Sequence, residues 1–266
     1  RTRGSCAGTF PPVRNLRSRL RHLPDLCPMT DHPNAVATGT ETPNPPHSFN
    51  SMHQISSILA RPEPAKWVFY GDSITHGAFH TFGQRDYTEH FAERLRTELG
   101  RAQDIVMKTA ISGNTTRALL ETFDWRVASL QPDVVFVMIG MNDCSTGRDI
   151  PLAEFRSNLE SVIRKIQALG AVPVLQTTCP ILPNSAPDRE GNFPQYMQAV
   201  RECAAALALP FVDHEEHWKA HSTQHYYWMS NAFHPNGAGH LAFAHELFRK
   251  LGIFDPASAT CRLFVP

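Results

Sequence analysis

The chain has 266 residues, enough for one sizeable α/β domain and tight for two. Apolar residues make up 42% and charged residues 19%, which excludes a disordered chain as a whole. Lys plus Arg and Asp plus Glu balance at 25 each, so bulk charge gives no pull toward nucleic acid, and no apolar run reaches the roughly 18 residues of a membrane span.

Residues 1–24 carry six Arg and no acidic residue, a composition that also fits a transit peptide. They lack the apolar stretch of a secretory signal, and Pro11-Pro12 interrupts any amphipathic helix. The expectation is an N-terminal extension over 1–50, a start near Met29 or Met52, a domain over 51–255 and a tail over 256–266. Without a signal the expected setting is the cytoplasm. Residues 30–50, rich in Pro, Thr, Asn and His, read as a linker. The six cysteines, at 6, 27, 144, 179, 203 and 261, form no C-x-x-C pair, which argues against zinc-ribbon or thioredoxin chemistry. Cys179 and Cys203 sit in apolar contexts and read as buried thiols; a disulfide between two of the others stays open.

From Lys66 the pattern changes. Trp67-Val68-Phe69-Tyr70 is a short apolar run ending at Gly71 and predicts a buried strand. Tyr87–Leu99 places Phe91, Leu95 and Leu99 at helical spacing. Asp104–Thr109 predicts a second strand and Thr115–Leu130 a second helix. Asp133–Ile139, β-branched and almost wholly apolar, is the strongest strand signal. Leu152–Leu169 puts Phe155, Leu159, Val162 and Ile166 on one stripe before Gly170, a good helix stop. Val172–Thr177, a helix over Gln195–Leu209, Pro210–Val212 and a helix over Gly239–Leu251 complete the series. Strands of this kind suit a parallel sheet covered on both faces. Alternation implies a doubly wound, three-layer α/β/α sandwich with five parallel strands and right-handed crossovers.

In such sheets ligands bind beyond the carboxyl ends of the strands. Three predicted strands end in polar clusters: Gly71-Asp72-Ser73, then Ile111-Ser112-Gly113-Asn114, then Gly140-Met141-Asn142-Asp143. A fourth cluster, His234-Pro235-Asn236-Gly237-Ala238-Gly239-His240, opens the last helix. No serine sits in a G-x-S-x-G elbow, which argues against an ordinary α/β-hydrolase.

In order and spacing, Gly71-Asp72-Ser73-Ile74, Gly113, Gly140-Met141-Asn142-Asp143 and His234-Pro235-Asn236 resemble the four blocks of the SGNH (GDSL-like) hydrolases over about residues 66–252. The resemblance implies a flavodoxin-like order of the five parallel strands and an ester hydrolase with Ser73 as nucleophile and His234 as general base. It implies an oxyanion hole from the backbone N–H groups of Ser73 and Gly113 and the side-chain amide of Asn142. Asp72 and Asp143 become supporting residues rather than reacting carboxylates. It implies a small-molecule ester as partner, with no cofactor and no metal. Blocks of this form include carbohydrate acetylesterases and lysophospholipase-like esterases, and the favoured substrate is a short acyl ester of a sugar.

The sequence departs from the family at one place. The Asp three residues before the histidine is here Asn231. Asn can fix an imidazole tautomer but cannot stabilise an imidazolium by charge. Three readings stand: a deliberate Asp→Asn variant, a natural Ser–His pair oriented by Asn231, or a weakened or non-catalytic carbohydrate or lipid binder. Asp213, Glu215 and Glu216 are candidate substitute acids. A thioesterase, lysophospholipase or acyltransferase would use the same residues. His214, His217, His221 and His225 have helical spacing, read either as a metal cluster or as part of an aromatic loop. Phe79, His80, Phe82, Trp218, Tyr226, Tyr227 and Trp228 flank the blocks and read equally as cleft walls or core.

Overall fold

The computed structural model describes residues 48–266. The expected extension up to residue 47, the start at Met29, and Cys6 and Cys27 lie outside the described residues. Helix α1 (Ser48–Ala60) comes first, with Ile55 wholly buried. Five strands follow: β1 (Lys66–Gly71), β2 (Ile105–Lys108), β3 (Val134–Met138), β4 (Val172–Gln176) and β5 (Phe211–Val212). All pair in parallel, in the order β2-β1-β3-β4-β5. The order reverses at β1, which lies between β2 and β3, so its carboxyl end is the switch point of the sheet.

The helices form two layers. On one face α4 (Thr116–Arg126) packs on α5 (Leu152–Ala168), and α5 on α6 (Phe193–Ala206). On the other, α3 (Tyr87–Glu93) packs on α8 (Gly237–Lys250), which also meets the short α7 (His214–Ala220). The result is the three-layer α/β/α sandwich. Its aromatic centre stacks Phe69 of β1 on Phe136 of β3, with centroids 4.4 Å apart, and Phe91 of α3 meets both edge-on. The α5 stripe of Phe155, Leu159, Val162 and Ile166 is fully buried, as its spacing requires.

Two acids fix β1 at its amino end. Asp104 accepts from the Ala65 N–H (3.0 Å) and from Trp67 Nε1 (2.8 Å), while Asp133 accepts from the Lys66 N–H (2.8 Å). Pairing Gly71 with Met138 then brings the ends of β1 and β3 level. A Cβ on Gly71 would collide with the Met138 carbonyl, so this crossing needs glycine.

Two expectations differ from what the chain does. The strand at 105–108 is not buried on both faces: it is the sheet edge, with Ile105 50% exposed. The stretch from His214 to His225, read above as a metal cluster or part of an aromatic loop, is not irregular throughout. It contains α7 and runs into a 3₁₀ turn over His225–Trp228, because Asp213 caps α7 by accepting from the Glu216 N–H (3.2 Å) and Trp218 drops into the core.

Candidate active site

One residue beyond β1, Ser73 starts the one-turn helix α2 (Ser73–His76). Asp72 caps that turn by accepting from the Ile74 N–H (3.0 Å), and Gly77, at φ 69°, closes it. The nucleophile candidate is thus held at a helix start, where its own N–H has no helical partner.

His234 lies in the turn before α8. The Ser230 N–H donates to the His234 carbonyl (2.8 Å), and Met229 bridges to Pro235. Asn236 caps α8 by accepting from Ala238 N–H (2.9 Å) and Gly239 N–H (3.1 Å), while its amide donates to the Tyr227 carbonyl (2.8 Å). These bonds fix residues 229–236 as one unit and aim the His234 ring at Ser73. Ser73 Oγ and His234 Nε2 are 2.8 Å apart.

Behind His234, Nδ1 lies 3.0 Å from Asn231 Oδ1. The same oxygen accepts from the backbone N–H groups of Phe233 (3.1 Å) and His234 (3.0 Å). Two donors already point at this atom, so it is the carboxamide oxygen, and the proton belongs on Nδ1. Nε2 is then left as an acceptor facing the Ser73 hydroxyl. Among the described residues, Ser73 and Asn231 are the hydrogen-bond partners of the His234 ring.

The substitute acids are engaged elsewhere. Asp213 pairs with Arg201 Nε (2.7 Å) and accepts from Thr177 Oγ1 (2.9 Å). Glu215 pairs with Arg201 and Lys219, and Glu216 faces solvent.

The other predicted clusters meet Ser73 through the loop after β2. The Ile111 N–H donates to the Gly71 carbonyl (3.2 Å), and Asn142 Nδ2 donates to the Asn114 carbonyl (2.9 Å). The second N–H of that amide has no partner among the described residues. Gly113 has φ 82°, a backbone that side chains rarely adopt, and Arg148 lies 3.7 Å from where its Cβ would be. Asp143 takes the Thr116 N–H (2.8 Å) and hydroxyl (2.6 Å) on one oxygen, tying the β3 loop to α4.

Burial sets the protonation states. Desolvation, with His80, Arg189 and His240 nearby, pushes His234 down to about 3, so the ring is neutral at ordinary pH. Desolvation raises Asp72 to about 7, the Ile74 N–H opposes this, and the Asp143 carboxyl adds to it. Asp143 is raised by burial too.

Sequence reasoning missed Arg189. It lies in the polar 183–194 loop, with its guanidinium 4.0 Å above the Phe233 ring and Nη1 3.4 Å from the Met141 carbonyl. A lone cation in a Pro-flanked loop gives no signal of that reach. The aromatics divide: Trp218 and Trp228 are core, whereas Phe79, Phe82, Tyr226 and Tyr227 are exposed. His80 stacks on His234. The four histidines of the 214–225 cluster go to separate partners: His214 to Gln176 Oε1 (3.0 Å), His217 to Glu246 (3.3 Å), His221 to the His217 carbonyl (2.8 Å) and His225 to the Pro180 carbonyl (3.3 Å).

Comparison with known proteins places the fold among ester hydrolases. An acetylxylan esterase of Geobacillus stearothermophilus is 29% identical over 210 residues, covering 70% of this chain and 94% of that protein. An isoamyl acetate-hydrolyzing esterase of Saccharomyces cerevisiae is 24% identical over 216 residues, covering 72% and 87% respectively. The crystal structure of the Geobacillus esterase superposes with TM-score 0.61 at 26% identity, over 73% of this chain and 97% of that one. Solved structures of that enzyme include two catalytic mutants, one with a serine and one with a histidine replaced by alanine. An α/β hydrolase from the Lake Arreo metagenome shares the fold, with TM-score 0.63 at 23% identity, over 72% of this chain and 96% of that one. Residues 69–242 match the GDSL-like lipase/acylhydrolase family, and the chain belongs to that family.

Proposed function

We propose that the chain is a working serine esterase for short-chain carboxylic esters, with acetyl as the acyl group and a carbohydrate hydroxyl as the leaving alcohol. The observation that carries this reading is the hydrogen-bonded line Ser73–His234–Asn231, with the ring oriented for proton acceptance. The two curated esterases named above differ in their alcohols, xylan and isoamyl alcohol, but both names specify an acetate ester. The acyl side is therefore the part of the substrate that carries over best.

In this reading Ser73 Oγ attacks the ester carbon as its proton passes to His234 Nε2. The carbonyl electron pair moves onto oxygen, where the N–H groups of Ser73 and Gly113 and the Asn142 amide receive it. One such donor contributes about 3–4 kcal/mol in comparable enzymes. Collapse breaks the bond to the alcohol, which leaves with the proton from His234. Water then repeats the sequence on the acyl-enzyme, releasing the acid and restoring Ser73.

The direct test is hydrolysis of p-nitrophenyl acetate by the chain, by Ser73→Ala and by Asn231→Asp, with an organophosphate to label the serine. Turnover and labelling by the parent chain, with Ser73→Ala slower by about 10⁴-fold or more, is the expected result. An unlabelled, inactive parent whose Asn231→Asp variant is active points instead to a binder on a hydrolase scaffold. Inactivity of all three on acetyl and longer esters removes the esterase reading.

A further inference from the structure

The segment between α2 and α3 has an unusual backbone. Gly77, Phe79, Phe82 and Gly83 all have positive φ, at 69°, 65°, 52° and 79°. The His80 N–H donates to the Ala78 carbonyl (2.8 Å), closing a tight three-residue turn on Phe79 in its less favourable hand. Left-handed phenylalanines are strained, and such strain persists only where the surroundings enforce it.

Its outcome reverses the usual partition of side chains. Phe79 and Phe82 are 91% and 75% exposed, whereas Thr81 is buried and His80 half-buried. His80 lies flat on His234, with ring centroids 3.8 Å apart and planes 10° from parallel. Its Nδ1 is 3.4 Å from the Ser230 hydroxyl, beside Asn231. Simple burial of apolar surface would have turned a phenylalanine inward. The loop turns an imidazole inward instead.

We propose that His80 is a positioning residue for His234: its ring face holds the base in line with Ser73 and supports the positive charge His234 acquires on taking the serine proton. The need for it is specific to this chain. Asn231 orients His234 but supplies no negative charge, and among the described residues no carboxylate is bonded to the ring. A neutral aromatic face against a cation is a partial substitute. It acts only while His80 is neutral, and burial holds that imidazole below its usual value. The other titratable groups that act on His234 are Arg189 from the loop before α6 and His240 from α8, and both disfavour its protonation. A protonated His80 would add to them and oppose proton transfer.

This inference deepens the esterase reading, and two measurements keep them separable. The first is steady-state hydrolysis of p-nitrophenyl acetate by His80→Ala and His80→Phe. Loss of the ring face in His80→Ala should lower kcat about tenfold with little change in KM, and His80→Phe should recover most of that loss. The second is NMR titration of the His234 imidazole, which needs no turnover. Losing the supporting face in His80→Ala should move the His234 titration to lower pH, whereas His80→Phe, which keeps an aromatic face, should leave it near the parent's.

Unchanged kcat in His80→Ala overturns the proposal while leaving the esterase standing. A fall in kcat with an unmoved His234 titration also overturns it, since a merely structural loop residue would give that pattern. Should the parent chain hydrolyse no ester, the esterase reading fails and the titration alone decides the role of His80.

Discussion

At Asn231 the side-chain oxygen, not the nitrogen, faces His234, because two backbone N–H groups hold that atom in place. In chymotrypsin, the worked case for this exchange, Asp→Asn costs about 10⁴ in kcat because the amide forces the wrong tautomer. Here the tautomer is the productive one, and only the missing charge is lost. Asn231→Asp should therefore raise kcat/KM by only about 10- to 100-fold, measured on p-nitrophenyl acetate. The new carboxylate favours the imidazolium, so it should also move the acid limb of the pH profile upward from its depressed position. A variant with the parent's rate and profile would mean that His234 is not the base. Ser73 and His234 were legible because motif order placed them at strand and helix junctions. The orientation of Asn231 was not, since it depends on which way the 231–234 turn directs two backbone N–H groups. Gly113→Ala belongs to the same scale: with φ at 82° the substitution strains the loop after β2, and kcat should fall with KM little changed.

The one-turn helix α2 depends on a buried acid. Asp72 is wholly buried and its carboxyl is raised from 3.8 to about 7. A carboxyl raised on folding binds its proton more tightly in the folded state. Its stabilising contribution is therefore complete below pH 3.8 and is lost as pH rises through about 7. Asp72→Asn keeps the oxygen that accepts from Ile74 and removes the charge. It should flatten stability across that window and add about 2–4 kcal/mol at pH 8, read from urea unfolding. The opposite sign would mean that the carboxylate has a partner when ionised. At α3 the capping box is complete: Asp86 accepts from Thr88 N–H (2.8 Å) and Glu89 N–H (3.1 Å), and Glu89 accepts from the Asp86 N–H (2.9 Å). The apolar stripe of α5 was readable from spacing alone. The exposed face of β2 was not, because edge position is a property of the sheet and leaves no mark in a four-residue strand. Helix α7 was hidden for a related reason: its packing comes from Trp218 meeting Phe243 of α8, far along the chain.

The sheet centre makes the molecule cooperative. Phe136 stacks on Phe69 and meets Phe91, so three elements share one aromatic contact. Phe136→Ala should cost about 3–5 kcal/mol, a Tm drop of about 10 °C, and esterase activity should vanish in the same transition. Activity surviving beyond the loss of core structure would show that the site is not anchored to the sheet. Alternating strands and helices made the layer architecture and strand number legible, while the strand order came from family resemblance and from handedness rules rather than from any residue. The Ser73–His234 contact spans 161 positions of sequence. Nearly the whole sheet lies between those two residues, and the exposed segment around Pro183–Ser185 falls inside the interval. A chain divided there places nucleophile and base on separate fragments, neither with a complete site. Hydrolysis of a chromogenic ester would then report reassociation of the halves, making this scaffold a split reporter whose signal depends on rebuilding the fold.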